Sequence, residues 1–226
     1  MKSEILDMVL ESIATKRAVV LATNLESGEQ RLLGRGDGDD DDERANVSTA
    51  LRLDKPVTTG PDESRRIFYQ PFNPPLRMVL VGAVHIAQPL STMAVLAGYE
   101  VTIVDPRSAF AAEARFPGVA LDLSWPDQAL ESLGLDARSA VVTLTHDPKL
   151  DDPALHVALR SDAFFIGCLG SKKTHATRLK RLRKAGFTDA ELERIKGPVG
   201  LPIGSRSPSE IAVSVLAQVI ETLRKP

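Results

Sequence analysis

The amino-acid sequence predicts an α/β protein, in which a small N-terminal α+β module precedes a doubly wound parallel sheet. From residue 76 onward, short apolar runs typical of strands buried on both faces alternate with stretches of helical periodicity. This alternation is the pattern of βαβ units. Before it, Gln70–Pro75 contains three prolines, which remove backbone donors and disfavour helix in the preceding residues. We therefore predict two domains, 1–75 and 76–226.

The N-terminal module is predicted to contain one helix and three strands. Apolar residues recur at helical spacing from Ile5 to Ile13, which predicts a helix over about residues 2–16. Apolar runs predict strands at 18–23, 31–33 and 67–69. Residues 37–43 read Asp-Gly-Asp-Asp-Asp-Asp-Glu, and charges of one sign at this density repel one another. We therefore predict a mobile, solvated loop for that segment.

In the second domain, predicted strands and helices alternate along the chain. The strands are expected at 78–81, 101–104, 119–121, 140–144 and 163–166. The helices between them are expected at about 87–97, 108–115, 127–133 and 152–161. A basic helix over 173–185 and a short helix over 188–195 follow. The last helix begins at Ser207-Pro208-Ser209-Glu210, which combines an N-cap serine, a proline at the first helical position and a glutamate at N3.

Composition excludes several classes of function. A formal net charge of −2 gives no overall attraction to nucleic acid or to an anionic membrane. The single cysteine, Cys168, rules out an internal disulfide and a cysteine-based zinc site, and we expect no metal site. The longest apolar stretch, 78–87, is shorter than the roughly 20 residues that a membrane-spanning helix needs. Because acidic residues lie among the apolar residues of the N-terminus, no signal peptide is predicted, and we expect a cytoplasmic protein.

Candidate binding residues follow the strands of the predicted parallel sheet, where ligands of such sheets bind. After the first strand, residues 82–87 read Gly-Ala-Val-His-Ile-Ala, which nearly matches a dinucleotide-binding turn. Gly82 occupies the tight turn, whereas Val84 replaces the second glycine and is expected to crowd a pyrophosphate. We expect His85 to contact an anion at the helix N-terminus. A turn that binds nothing is the alternative.

The second and fourth strands are followed by further polar residues. Asp105 lies about 20 residues beyond Gly82, the spacing of an acidic residue that accepts a hydrogen bond from a ribose hydroxyl. Arg107 is suited to hold a phosphate through two hydrogen bonds. We assign a binding role to His146 and Asp147 rather than a metal or catalytic one, because adjacent side chains do not easily face one ligand. Capping of a helix or a turn is the alternative for both aspartates.

Two later segments complete the candidate site. Gly170-Ser171-Lys172 opens the basic helix with free backbone donors, a hydroxyl and an ammonium, a combination that binds anions. Residues 197–206 contain three glycines and two prolines and end in Arg206, beside the last helix. A purely structural loop is the alternative for residues 197–206. We interpret the basic helix as a solvated face or a protein-docking face. We predict no catalytic and no metal-binding residue. The predicted cofactor-binding residues are Gly82, His85, Asp105, Arg107, His146, Asp147, Gly170, Ser171, Lys172 and Arg206.

These motifs resemble the XdhC/CoxI family over about residues 77–222. The resemblance also includes Gly167–Ser171, Arg178-Leu179, and the stretch that runs from Pro198–Gly204 to Glu210–Ala212. The members of that family are maturation factors of xanthine and carbon monoxide dehydrogenases. The resemblance implies a Rossmann-like C-terminal domain that binds the molybdenum cofactor, a pterin with a terminal phosphate. It also implies sulfuration by a cysteine desulfurase, delivery to an apo molybdenum hydroxylase, and self-association as a homodimer.

The chain departs from that family at two places. The family turn normally reads Gly-Ala-Gly-His, where this sequence has Val84. The family's N-terminal domain usually carries a Gly-Ser-Ser-Pro-Arg motif after its first strand, where residues 23–28 read Thr-Asn-Leu-Glu-Ser-Gly. The N-terminal module is also short. A function that depends on that domain is therefore expected to be altered.

Three functions compete at this point. A non-enzymatic molybdenum cofactor chaperone is favoured by the predicted pocket and by the resemblance. An NAD(P)-dependent oxidoreductase is suggested by Gly82 and Asp105, but it needs a proton donor near the nicotinamide. The two tyrosines are Tyr69 and Tyr99, and Tyr99 precedes the second strand at its wrong end. A protein-docking adaptor with a disabled pocket is the third possibility, and neither nucleic acid nor membrane is an expected partner.

Overall fold

A computed structural model describes residues 3–59 and 66–225. The chain divides into two compact units, Met1–Pro74 and Pro75–Pro226. Residue 2, where the sequence predicts the start of the first helix, lies outside the described residues. Within the two described ranges, no helix is both long and apolar enough to cross a membrane.

The N-terminal unit is a four-stranded antiparallel sheet with two helices. Its strand order is β2-β1-β4-β3. The helix α2 packs Val47, Ala50 and Leu51 against Val20 and Tyr69 of the sheet, and all five side chains are buried. The elements are α1 (Ser3–Ala14), β1 (Val19–Asn24), β2 (Gln30–Gly34), α2 (Asp41–Leu53), β3 (Val57–Thr59) and β4 (Ile67–Phe72).

The prediction of a mobile acidic loop over 37–43 is wrong, because α2 begins within that segment. The Asp40 carboxylate caps the helix by accepting from the Glu43 amide at 2.7 Å. Acidic side chains in the first turn are stabilised by the positive end of the helix dipole. The Glu43 carboxylate is buried and forms a 2.6 Å ion pair with Arg31, which also binds Asp39. The position of these acidic residues at a helix N-terminus therefore stabilises negative charges that would repel one another in an extended loop.

The second unit contains the parallel sheet, and this confirms the predicted fold class. Its six strands follow the order β10-β9-β8-β5-β6-β7, and every neighbouring pair is parallel. This is the order of two mononucleotide-binding halves that meet at a switch point. The switch point lies between β5 and β8. The strands are β5 (Leu76–Val81), β6 (Tyr99–Val104), β7 (Ala120–Asp122), β8 (Ser139–Thr143), β9 (Phe165–Cys168) and β10 (Ile195–Lys196).

Helices cover both faces of this sheet. One apolar core joins the sheet to α3 and α8, and the other joins it to α4, α5, α6 and α7. Burial on both faces explains the continuous apolar run in β5, whose residues 78–81 are at most 3% exposed. The helices are α3 (Ala87–Leu96), α4 (Pro126–Leu133), α5 (Pro148–Arg160), α6 (Lys172–Lys184), α7 (Asp189–Leu192) and α8 (Pro208–Arg224).

The predicted helix over 108–115 is wrong, since only a 3₁₀ turn forms there, at Glu113–Arg115. The Arg115 guanidinium donates to the Ala83 carbonyl at 2.8 Å and also to the Phe110 carbonyl. Arg107 stacks over the Phe110 ring, 4.6 Å from its centroid. These contacts fix the segment against the turn after β5, and such tertiary contacts override local helix propensity.

Candidate functional site

A cavity of about 530 Å³ lies at the carboxyl ends of the parallel strands. We call it the switch-point cavity. Three loops, the first turn of α6 and the last helix contribute its walls, which consist of Ile86, His146, Leu169, Gly170, Ser171, Thr174 and Ile211. The cavity thus brings together three predicted site residues, His146, Gly170 and Ser171. The other seven predicted residues are not among those that line it.

The turn after β5 and the loop after β8 touch each other at Gly82. The Gly82 backbone has a φ of +113°, and an added Cβ atom would lie 2.4 Å from Thr145 Cγ2. A side chain at this position would therefore meet both backbone strain and a clash. His85, in the same turn, is exposed. Gly82 thus serves the close approach of two loops on either side of the switch point.

The Asp105 carboxylate is fully buried and is held by groups of the protein itself. It accepts from the Ala83 amide at 2.8 Å and from the Arg107 guanidinium at 2.7 and 2.8 Å. Burial alone would raise the pKa of Asp105, but the hydrogen bonds from Arg107 and Ala83 outweigh it and lower the pKa. Asp105 therefore organises the turn after β5. The cofactor-binding roles of Asp105 and Arg107 stay predictions.

His146 is an exposed residue with the left-handed backbone φ of +64°. The residues on either side of it are hydrogen-bonded. The Thr145 hydroxyl donates to Asp151 Oδ1 at 2.6 Å and accepts from the Asp147 amide at 3.1 Å. The Asp147 carboxylate caps α5 by accepting from the Lys149 amide at 2.9 Å. The loop thus holds His146 at the cavity, while Asp147 has a capping contact and its binding role stays a prediction.

The loop after β9 forms the facing wall. Gly170 has a φ of +145°, and an added Cβ would lie 3.2 Å from Thr174 and 3.7 Å from His146 Nδ1. Ser171 is the N-cap of α6 and accepts from the Thr174 amide at 3.1 Å. Lys172, the first residue of α6, is exposed. The absence of a Cβ at Gly170 therefore keeps space between the two walls.

The segment before α8 presents a different helix start. Arg206 is exposed, and its backbone amide donates to Glu210 Oε2 at 2.7 Å. The same oxygen accepts from the Ser207 amide at 3.0 Å, which completes the predicted capping box. A carboxylate thus already satisfies these backbone donors. The role of Arg206 in phosphate binding stays a prediction.

Comparison with known proteins identifies the family. The model of the XdhC Rossmann domain matches residues 78–219. The chain belongs to the XdhC family. This confirms the resemblance on which the sequence-based hypothesis rests.

Two curated relatives of this XdhC-family chain carry informative names. It is 32% identical over 165 residues to a probable xanthine dehydrogenase subunit of Bacillus subtilis (strain 168), covering 73% of this chain and 48% of that protein. It is 32% identical over 148 residues to the molybdenum cofactor insertion chaperone PaoD of Escherichia coli (strain K12), covering 66% and 40%. The chain thus spans about half the length, or less, of these relatives.

A solved structure shares the fold of this XdhC-family chain. The crystal structure of a xanthine dehydrogenase from Bacillus halodurans matches with a TM-score of 0.71. The match covers 98% of this chain and 67% of that chain, at 23% sequence identity. Because the identity is low, this likeness establishes the fold alone.

Sequence reasoning missed several residues of the XdhC-family cavity. Ile86, Leu169 and Ile211 form its apolar walls, and in a sequence such residues look like ordinary core residues. It also missed a buried ion pair below the cavity, in which Arg178 Nη2 lies 3.2 Å from Asp151 Oδ2. The available signal was an arginine four residues before Leu182, on the buried face of the basic helix α6.

The remaining candidates for chemistry are weak. Cys168 is fully buried, and burial raises the pKa of its thiol to about 11, so the thiol stays protonated at neutral pH. Across residues 3–59 and 66–225, no group of three or more histidine, cysteine, aspartate or glutamate side chains is arranged to hold a metal ion.

Proposed function

We propose that this XdhC-family protein binds the molybdenum cofactor in the switch-point cavity. It then delivers the cofactor, after sulfuration by a cysteine desulfurase, to an apo molybdenum hydroxylase of the xanthine or carbon monoxide dehydrogenase type. In this proposal the protein is a non-enzymatic cytoplasmic chaperone that acts as a homodimer. The observation that carries the proposal is the cavity at the switch point, and the name of the relative PaoD supports it.

The chemistry of the cavity fits a pterin. Its volume of about 530 Å³ lies within the usual range of about 300–1,000 Å³ for small-molecule sites. Ile86, Leu169 and Ile211 offer apolar surface to the flat faces of a ring system. His146 and Ser171 offer polar groups to its edges. The exposed Lys172 ammonium, at the start of α6, supplies a positive charge for a phosphate.

The same geometry disfavours the oxidoreductase alternative. A dinucleotide needs an acidic residue free to accept from its ribose, whereas Asp105 is buried and bonded to Ala83 and Arg107. Val84 stands where the pyrophosphate requires a glycine. Tyr99 begins β6, at the opposite end of the strands from the cavity. NAD and NADP are therefore the less favoured ligands.

The state of Cys168 supports an external source of sulfur. It is the one cysteine in the sequence, and its thiol is buried and protonated. A persulfide on this chain would require an exposed thiolate. The buried thiol therefore favours a partner protein, such as a cysteine desulfurase, as the source of the sulfur that activates the cofactor.

Anaerobic calorimetric titration of the purified protein with molybdenum cofactor tests the proposal. We expect about one cofactor per chain and no heat from NAD or NADP. His146→Ala is expected to weaken binding about tenfold, as for the loss of one hydrogen bond. His156→Ala, which removes a histidine on α5 that packs on Phe187, is the matched control and should bind as the wild type does.

Each other outcome of the titration contradicts the proposal. Binding of the dinucleotides alone would favour the oxidoreductase. Binding of neither ligand would favour the protein-docking adaptor. Unchanged affinity of His146→Ala would show that the cofactor lies elsewhere.

A further inference from the structure

We infer that Thr145 and the buried pair Asp151 and Arg178 form a relay that positions His146 and the Gly170 loop, the two facing walls of the switch-point cavity. The effect of the relay on cofactor affinity rests on the proposed function. Its effect on the conformation of His146 does not, and it can be measured without ligand.

The relay is a continuous chain of hydrogen bonds beneath the cavity. Arg178, which is 1% exposed, donates through Nη2 to Asp151 Oδ2 at 3.2 Å and to the Leu169 carbonyl at 3.1 Å. The other Asp151 oxygen accepts from the Thr145 hydroxyl at 2.6 Å. Thr145 precedes His146 and Leu169 precedes Gly170. One guanidinium is therefore connected to both loops.

The backbone of His146 shows what the relay holds in place. A left-handed φ is unfavourable for a residue with a side chain, and it persists only where the surroundings enforce it. In the described part of the chain, Lys16 and Asp54 also have it, and both follow the ends of helices, where this conformation is common. His146 instead follows a buried strand and lines a cavity. The Thr145 hydroxyl, bonded to Asp151 and to the Asp147 amide, fixes the backbone on both sides of it.

Burial of the pair argues that its role goes beyond stability. A buried ion pair often contributes no more to stability than an apolar pair of the same volume. Two Arg178 nitrogens, Nε and Nη1, lack a hydrogen-bond partner among the described residues, which makes the burial costly. Burial raises the pKa of Asp151, and the bonds from Thr145 and Arg178 offset only part of that effect. We infer that this buried pair is kept because it fixes the distance between the two loops.

The first test measures the strain on His146 without ligand. His146→Gly is expected to raise the urea midpoint of the wild-type protein, because glycine adopts this φ freely. The gain should be lost in a Thr145→Val background, where the methyl contact with Gly82 remains but the hydroxyl is gone. Lys16→Gly is the matched control, and its gain should be equal in both backgrounds. A His146→Gly gain that survives in Thr145→Val would overturn the relay.

The second test measures cofactor affinity by the same calorimetry. Thr145→Val and Arg178→Lys are each expected to weaken binding of the cofactor about tenfold. Thr145→Ser, which keeps the hydroxyl, should bind the cofactor as the wild type does. If the relay acts through His146, Thr145→Val should have no further effect in a His146→Ala background.

The two tests separate the failure of this inference from that of the proposed function. Independent, multiplicative effects of Thr145→Val and His146→Ala would overturn the relay and leave the proposed site intact. Unchanged affinity of His146→Ala would overturn the proposed site, and the urea experiment would still decide whether the relay holds His146. If Arg178→Lys does not fold, Thr145→Val carries both tests.

Discussion

The two halves of the sheet edge use their polar groups in opposite ways. Above β5 and β6, Asp105 and Arg107 bind each other, and Asp105 also accepts from the Ala83 amide in the turn after β5. Above β8 and β9, His146 and Ser171 line a cavity together with apolar side chains. A dinucleotide bridges both halves of such a sheet, whereas the polar side chains that line this cavity all come from the segments after β8 and β9. Strand order thus fixes where a site lies, and we expect the groups left free there to decide its ligand.

The substitution that should destabilise the protein most is at Gly82, where the two halves touch. Gly82→Ala should lower the free energy of unfolding by about 3 kcal/mol, from left-handed strain plus a clash in a packed site. The added Cβ would lie 2.4 Å from Thr145 Cγ2, whereas at Gly98, with a φ of +87°, it would meet no atom within 4 Å. Gly98→Ala is therefore the matched control, and it should lose about 1 kcal/mol. Equal losses in urea unfolding would show that the contact at Gly82 yields.

The next largest loss of stability is expected in the half of the sheet edge above β5 and β6. Asp105→Asn should cost about 2 kcal/mol at pH 7, the usual contribution of hydrogen bonds to a charged group. The folded-state pKa of Asp105 is lowered, so its stabilisation is present above the unfolded-state pKa of about 3.9 and is lost as the pH falls through the folded-state value. The gap in stability between the wild type and Asp105→Asn should therefore begin to narrow below about pH 4 and shrink further as the pH falls toward the folded-state pKa. A constant gap in urea unfolding across pH 7 to 3 would contradict this.

How far the sequence alone predicts this molecule depends on whether the information is local. The parallel sheet was predictable because strands buried on both faces appear as unbroken apolar runs. His146, Gly170 and Ser171, which line the cavity, could be predicted to lie at one sheet edge because they follow strands. The helix α2 was missed because its acidic residues were considered as charges that repel one another rather than as the first turn of a helix. The Arg178–Asp151 pair was missed because its members are 27 residues apart and only tertiary packing joins them.

The smallest expected loss of stability is at Gly170. This position also gives the sharpest test of the half of the sheet edge above β8 and β9, whose residues line the cavity. Gly170→Ala should lose about 1–2 kcal/mol from left-handed backbone strain. Gly186, which follows the other end of α6 with a φ of +98° and no atom within 4 Å of an added Cβ, offers a matched control with a similar loss.

The two variants should differ in ligand binding. A Cβ at Gly170 would lie 3.2 Å from Thr174 and 3.7 Å from His146 Nδ1, and so would reduce the space between the cavity walls. We therefore expect Gly170→Ala to bind the molybdenum cofactor about tenfold more weakly, a difference of about 1.4 kcal/mol. Gly186→Ala should bind as the wild type does. If both variants bind equally well in the calorimeter, the cofactor does not occupy the space between His146 and Thr174, and the contrast between the two halves does not explain ligand choice.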